Sequence, residues 1–163
     1  MNIFEDEVVD FMKLLNKNEV KYLLVGGMAV NFYGYSRTTG DVDLWIEDSI
    51  QNRQYLVNTL SEFGVEGADI FLTHPLIAGY SEILLGNGIY VDFMSNLVAL
   101  KQEEFNDCYQ YSDKIQLDSD TQFNVLHFNK LIEEKTKSGR PKDLVDVEEL
   151  TKWRKQNKNN SPN

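Results

Sequence analysis

Two short apolar runs, separated by a glycine pair and a short helical stretch, limit most strongly how this chain can fold. Val20 to Val25 (VKYLLV) is apolar and partly β-branched, and it stops at Gly26-Gly27, so it reads as a buried strand. Met28 to Tyr33 follows as a short helix closed by Gly34, and Tyr35 to Gly40 forms a polar loop. The next run, Asp41 to Ile46 (DVDLWI), alternates as a strand does. Val42, Leu44 and Ile46 fall on one face, and Asp41, Asp43 and Trp45 on the other.

The remaining segments extend this pattern. Ile3 to Leu15 spaces Phe4, Val8, Phe11, Met12 and Leu15 as an amphipathic helix. Ser49 to Phe63 has the composition of a helix, with Ile50, Leu56, Val57 and Leu60 on its apolar side and Gly64 as its stop. Leu76–Leu85 and Ile89–Met94 flank Gly86-Asn87-Gly88, which signals a hairpin. Lys101 to Tyr109 reads as helix, and Lys114–Leu117 and Phe123–Leu126 as short strands. Phe128 to Lys137 is helical again, with Leu131, Ile132 and Lys135 spaced by turns. Pro141 opens a final helix to about Lys155. The expectation is an α+β (α/β-layered) domain over residues 1–155, with a small mixed sheet flanked by helices. Residues 156–163 lack apolar side chains and read as a disordered tail.

Composition narrows the function. The chain has 163 residues, and no apolar run approaches the roughly 20 a membrane span needs. The start, MNIFEDEVVDF, is acidic where a signal peptide is basic, so a soluble cytoplasmic protein is expected. The formal net charge of −10 argues against an extensive nucleic-acid surface. It leaves room for a nucleotide, because divalent ions reverse the sign of a small acidic pocket. Cys108 is the single cysteine, so no intrachain disulfide forms, and it reads as a half-buried thiol on a helix. His74 and His127 have no partners at a recognisable spacing.

Asp41-Val42-Asp43 is the most informative tripeptide. Both carboxylates project from one strand face, where they repel unless a cation joins them. A hard cation with oxygen ligands, magnesium above all, suits the pair; an exposed strand edge is the bland alternative. Gly26-Gly27, between strand and helix, would let backbone N–H groups approach a phosphate, although a Gly pair also serves a plain tight turn. Asp92, inside the apolar run IYVDFMS, is costly to bury unless paired or metal-bound. If its strand lies beside DVDLWI, three carboxylates cluster and could hold two metals.

LLVGGMAVNFYGYSRTTGDVDLWI resembles the signature of the polymerase-β-type nucleotidyltransferase superfamily. In style it is similar to small bacterial members grouped with abortive-infection (AbiEii-type) toxins and minimal nucleotidyltransferases. The ending KLIEEKTKSGRPKDLVDVEEL is similar too, and the resemblance covers about Lys21 to Leu150. It implies the nucleotidyltransferase fold with C-terminal helices. Gly26 and Gly27 would be the triphosphate-binding turn. Asp41 and Asp43 would be metal ligands shared with the nucleotide, and Asp92 the third carboxylate, suited to deprotonating the acceptor. Arg37 and Lys135 would lie near the phosphates, and Asp143 matches the acidic residue after the Gly-Arg turn. Gly27 stands where the wider superfamily more often has serine. Other roles stay open for several of these residues. Lys135 could be a solvated helix charge, Asp143 a helix-start residue, Arg140 the partner of a surface acid, and Arg37 an anchor for its loop on Asp41 or Asp43. Tyr33, Tyr35 and Trp45 could stack on a base or fill the core.

The implied activity is transfer of a nucleoside monophosphate from an NTP to an acceptor hydroxyl, with two Mg2+ ions, or Mn2+ in their place. Acidity and size favour a protein or small-molecule acceptor. Two alternatives use the same fold or carboxylates. One is a non-catalytic member of a toxin–antitoxin pair that acts through a helical partner protein; the other is a metal-dependent phosphohydrolase.

Overall fold

A computed structural model describes residues 6–159. Helix α1 (Asp6–Lys17) buries Val8, Phe11, Met12 and Leu15, while Ile3 and Phe4 lie outside the described residues. β1 (Tyr22–Val25) is buried along its whole length and runs directly into α2 (Gly26–Phe32), so the glycines form the helix's first residues. β2 (Asp41–Ile46) has the expected bounds. α3 (Ile50–Phe63) is capped by the Ser49 hydroxyl and closed by Gly64 at φ +98°. Ile50 is a correction. As the first residue of α3 it precedes the turn that faces the core, and it is 91% exposed.

β3 (Glu82–Leu84) and β4 (Tyr90–Met94) form the expected antiparallel hairpin. Its Gly86 and Asn87 amides donate to the Glu7 carboxylate on α1. The first strand is much shorter than the apolar run suggests. Residues 76–81 curl instead, with the Ile77 amide donating to Ser81 Oγ and Gly79 at φ +77°. α4 (Phe105–Gln110), β5 (Asp113–Gln116) and β6 (Gln122–Val125) follow, then α5 (Phe128–Ser138) and α6 (Pro141–Asn159). α6 continues through Gln156 to Asn159, so this part of the expected tail is helical, while residues 160–163 lie outside the described residues. The extension holds without apolar burial because Lys and Gln are good helix formers.

The six strands make one mixed sheet in the order β3-β4-β2-β1-β6-β5. β2 and β4 are parallel, as are β1 and β6; the other neighbours are antiparallel. A parallel pair needs a crossover, and α3 lies in the one between β2 and β4. Val42, Leu44, Val91 and Phe93 all point into the core at 1% exposure or less. That leaves the opposite side of β2 and β4, near the start of β2, for polar side chains.

Candidate active site

Asp43 and Asp92 are direct cross-strand partners in the parallel β2–β4 ladder, and Asp41 pairs with Tyr90 one step along. Strand alternation therefore puts all three carboxylates on the same side of the sheet. They line a cavity of about 930 Å3 together with Gly26, Gly27, Arg37, Lys135 and Asp143. The lining thus includes every residue that the resemblance marks out. Among the described residues, no three His, Cys, Asp or Glu side chains are already drawn into a metal-holding group. The acidic row also extends beyond this trio, since Glu82 on edge strand β3 is the partner of Asp92 on its other side.

Each carboxylate has its own environment. The Asp43 carboxyl is pushed up to about 7, first by burial and then by the charges of Asp41 and Asp92. Its Oδ2 packs against Gly26 so closely that a Cβ added there would lie 1.9 Å away. Asp92 is 7% exposed, and burial also raises its carboxyl above the usual range. Its Oδ2 accepts from the Gly79 amide at 2.7 Å, and its Oδ1 is buried without a hydrogen-bond partner among the described residues. Such an atom costs free energy unless something binds it. Asp41 is exposed, and its Oδ1 accepts from the Thr39 hydroxyl at 3.1 Å.

A second charged cluster joins α5, α6 and the loop before β2. Lys135, 4% exposed, donates to Asp143 at 2.9 Å and bridges to Asp146 at 2.8 Å. Arg37 grips Asp146 with two parallel bonds of 2.7 and 2.8 Å. Its backbone exchanges two more hydrogen bonds with the Asn31 side chain. Arg37 therefore does anchor its loop, but on Asp146 rather than Asp41 or Asp43. Burial alone would raise the Asp143 carboxyl; bonds from Arg140, Lys135 and Ser138 outweigh it and hold the group well below the usual carboxylate range. Asp146 is lowered by the same balance, with Arg37 and Lys135 as donors. Lys135 is thus no solvated helix charge, and Asp143 is a buried hub rather than only a residue at a helix start. Arg140 pairs with Asp143, so its partner is not a surface acid.

Thr39 and Gly79 line the cavity, and Asp146 holds two of its lining cations from behind; the amino-acid sequence alone did not single out these three. Asp146 follows Asp143 by one helical turn, a spacing that places two acids on one helix face. Thr39 belongs to the alternating series Arg37, Thr39, Asp41, Asp43, all of which line the cavity. Gly79 has no comparable sequence signal. The aromatic residues go to the core. Trp45 is fully buried and donates to the Ser95 carbonyl, and Tyr33 bonds Asp113 and the Leu126 carbonyl. His127 caps α5 through Nδ1, and Cys108 is buried more deeply than expected, at 5% exposure.

The mixed sheet with its strand–Gly-Gly–helix turn is compatible with a nucleotidyltransferase fold, and its paired aspartates stand beside a third carboxylate on the next strand. The chain belongs to the family described as "Nucleotidyl transferase of unknown function (DUF2204)", whose model matches residues 4–160. Comparison with curated proteins gives no match.

Proposed function

We propose that this chain is a divalent-metal-dependent enzyme that moves a nucleoside monophosphate from an NTP to an acceptor hydroxyl on a protein or small molecule. The observation that carries this reading is the register of Asp43 against Asp92, with one buried Asp92 oxygen left bare. The donor set fits magnesium, or manganese in its place: carboxylate oxygens on one sheet face, one of them costly to leave unbound. Asp41 and Asp43 would hold the ion shared with the nucleotide, and Asp92 would complete the set. Bound there, two such ions would supply charge neutralisation for the triphosphate and the leaving pyrophosphate.

The chain's own residues account for the remaining chemistry. In-line attack by the acceptor oxygen on the α-phosphorus makes one P–O bond and breaks the α–β bridge, releasing pyrophosphate. Asp92 lines the cavity, where a carboxylate is placed to take the acceptor proton. Gly26 and Gly27, lacking a Cβ, leave room for the Asp43 and Thr39 side chains on the cavity wall. Arg140 and Lys142 are both exposed on the cavity wall; Lys142 can meet phosphate directly and Arg140 while still bonded to Asp143, whereas Lys135 is buried and held by two carboxylates. The reading thus shifts the main triphosphate cations from Lys135 towards these two.

Calorimetric titration with each NTP in millimolar magnesium tests the reading. Wild type should bind at least one Mg–NTP, and Asp43→Asn should abolish binding. Labelled product then separates transfer, which marks an acceptor with NMP, from hydrolysis, which leaves free nucleotide or phosphate. If wild type binds no NTP under these conditions, the enzymatic reading fails.

A further inference from the structure

Resting on that reading, we propose that Thr39 is a phosphate-binding residue, its hydroxyl donating to the triphosphate from directly above Gly27. Thr39 is 7% exposed, yet it lines the cavity that holds the three aspartates. A Cβ built on Gly27 would lie 2.6 Å from Thr39 Oγ1 and 2.8 Å from Thr39 Cβ. The Thr39 side chain therefore occupies the volume that any side chain at position 27 would need. The bare turn and the threonine form one fitted pair.

The placement brings a hydroxyl to the junction of two subsites. On one side its Oγ1 donates to Asp41 Oδ1 at 3.1 Å, a carboxylate proposed to turn to a cation. On the other side lies the Arg37 guanidinium, whose Nη1 comes 3.2 Å from the same Gly27 Cβ position. A hydroxyl carries one donor that rotates to suit its partners. When Asp41 engages a cation, the Thr39 proton is released for a phosphate oxygen on the same cavity wall. A threonine placed only to pack against Gly27 would not need its hydroxyl. The placement of that oxygen on the cavity wall, between Asp41 and the Arg37 guanidinium, is what distinguishes the two cases.

Calorimetry with magnesium tripolyphosphate, which lacks a base, and with each Mg–NTP tests the assignment. Thr39→Val keeps the shape and removes the hydroxyl. It should weaken both ligands roughly ten- to hundredfold, the range for losing a hydrogen bond to a charged group, with the melting temperature unchanged. Thr39→Ser should restore near-wild-type affinity, an outcome that a packing role of the methyl group would not give. Should Thr39→Val fail to fold, the pair Gly27→Ser and Gly27→Ser/Thr39→Gly takes its place. The first should lose binding through collision, and the second should regain it by carrying the hydroxyl on the other residue. Wild-type-like affinity in Thr39→Val, or no recovery in the double variant, overturns the assignment while leaving the nucleotide reading standing. Absence of binding by wild type itself overturns both.

Discussion

A Cβ atom at Gly26 would meet Asp43 Oδ2 at 1.9 Å, and the backbone there sits at φ +64°, a region costly for any residue with a side chain. The first effect falls on the Asp43 carboxylate and the second on the backbone. Gly26→Ala should therefore cost roughly 1–2 kcal/mol from the backbone alone, and displace Asp43 as well. Urea unfolding together with Mg–NTP titration should show both losses, and a variant that binds like wild type would refute the contact. Asp43 also dictates a pH dependence. Its carboxyl titrates at about 7 in the fold, against about 4 in an unfolded chain. Between those values the folded state holds a proton that the unfolded state has released, so metal-free stability falls as pH rises from about 4 to 7 and then levels. Asp143 and Asp146 are shifted the other way, and their contribution is lost only below about pH 4, where unfolded carboxylates take up protons. Thermal melts in EDTA at pH 5 and pH 8 should show the higher midpoint at pH 5. Asp43→Asn should flatten the difference.

At the scale of elements, the sheet supplies the carboxylates but the two last helices hold the site's wall. α5 and α6 meet through Lys135, Asp143 and Asp146, and Arg37 ties the loop before β2 into the same cluster. Removing one partner from a buried ion network leaves uncompensated charge in place. Lys135→Met should accordingly cost about 3–5 kcal/mol, measured by urea unfolding; a loss below about 1 kcal/mol would show that the network is wet and dispensable. How far these elements could be read in advance follows from their periodicity. β2 and α3 were legible because strand alternation in the one, and helical composition ended by a glycine in the other, hold over several residues. The Asp41–Asp43–Asp92 grouping was legible for the same reason, given that β4 lies beside β2. The curl at residues 76–81 was not, because its apolar residues have strand composition while Ser81 and Gly79 bend the chain. The extra turns of α6 were missed because exposed helix shows no apolar stripe. The role of Asp146 depends on two partners distant in sequence, and no local pattern reports such a contact.

The whole molecule carries a formal charge of −10, and three of the five cations that line the cavity are engaged by acids. Arg37 and Lys135 are paired with buried acids, and Arg140 shares Asp143. A triphosphate therefore approaches a chain of negative overall charge, and divalent ions that come with it offset that charge. A long nucleic acid meets that overall charge over many phosphates. These two ligands should consequently behave in opposite ways. At saturating magnesium, an NTP at a hundred times its Kd should stabilise the fold by about 2.7 kcal/mol, a rise of roughly 5–10 °C in melting temperature for a domain of this size. EDTA should cancel the rise. A fluorescent RNA 20-mer should show no anisotropy change at physiological salt, with or without magnesium. Tight RNA binding that weakens steeply as salt is raised would mean that the acceptor is a nucleic acid after all. The carboxylate site would survive that result, but the preference for a protein or small-molecule hydroxyl would not, because that preference stands on the chain's acidity and small size.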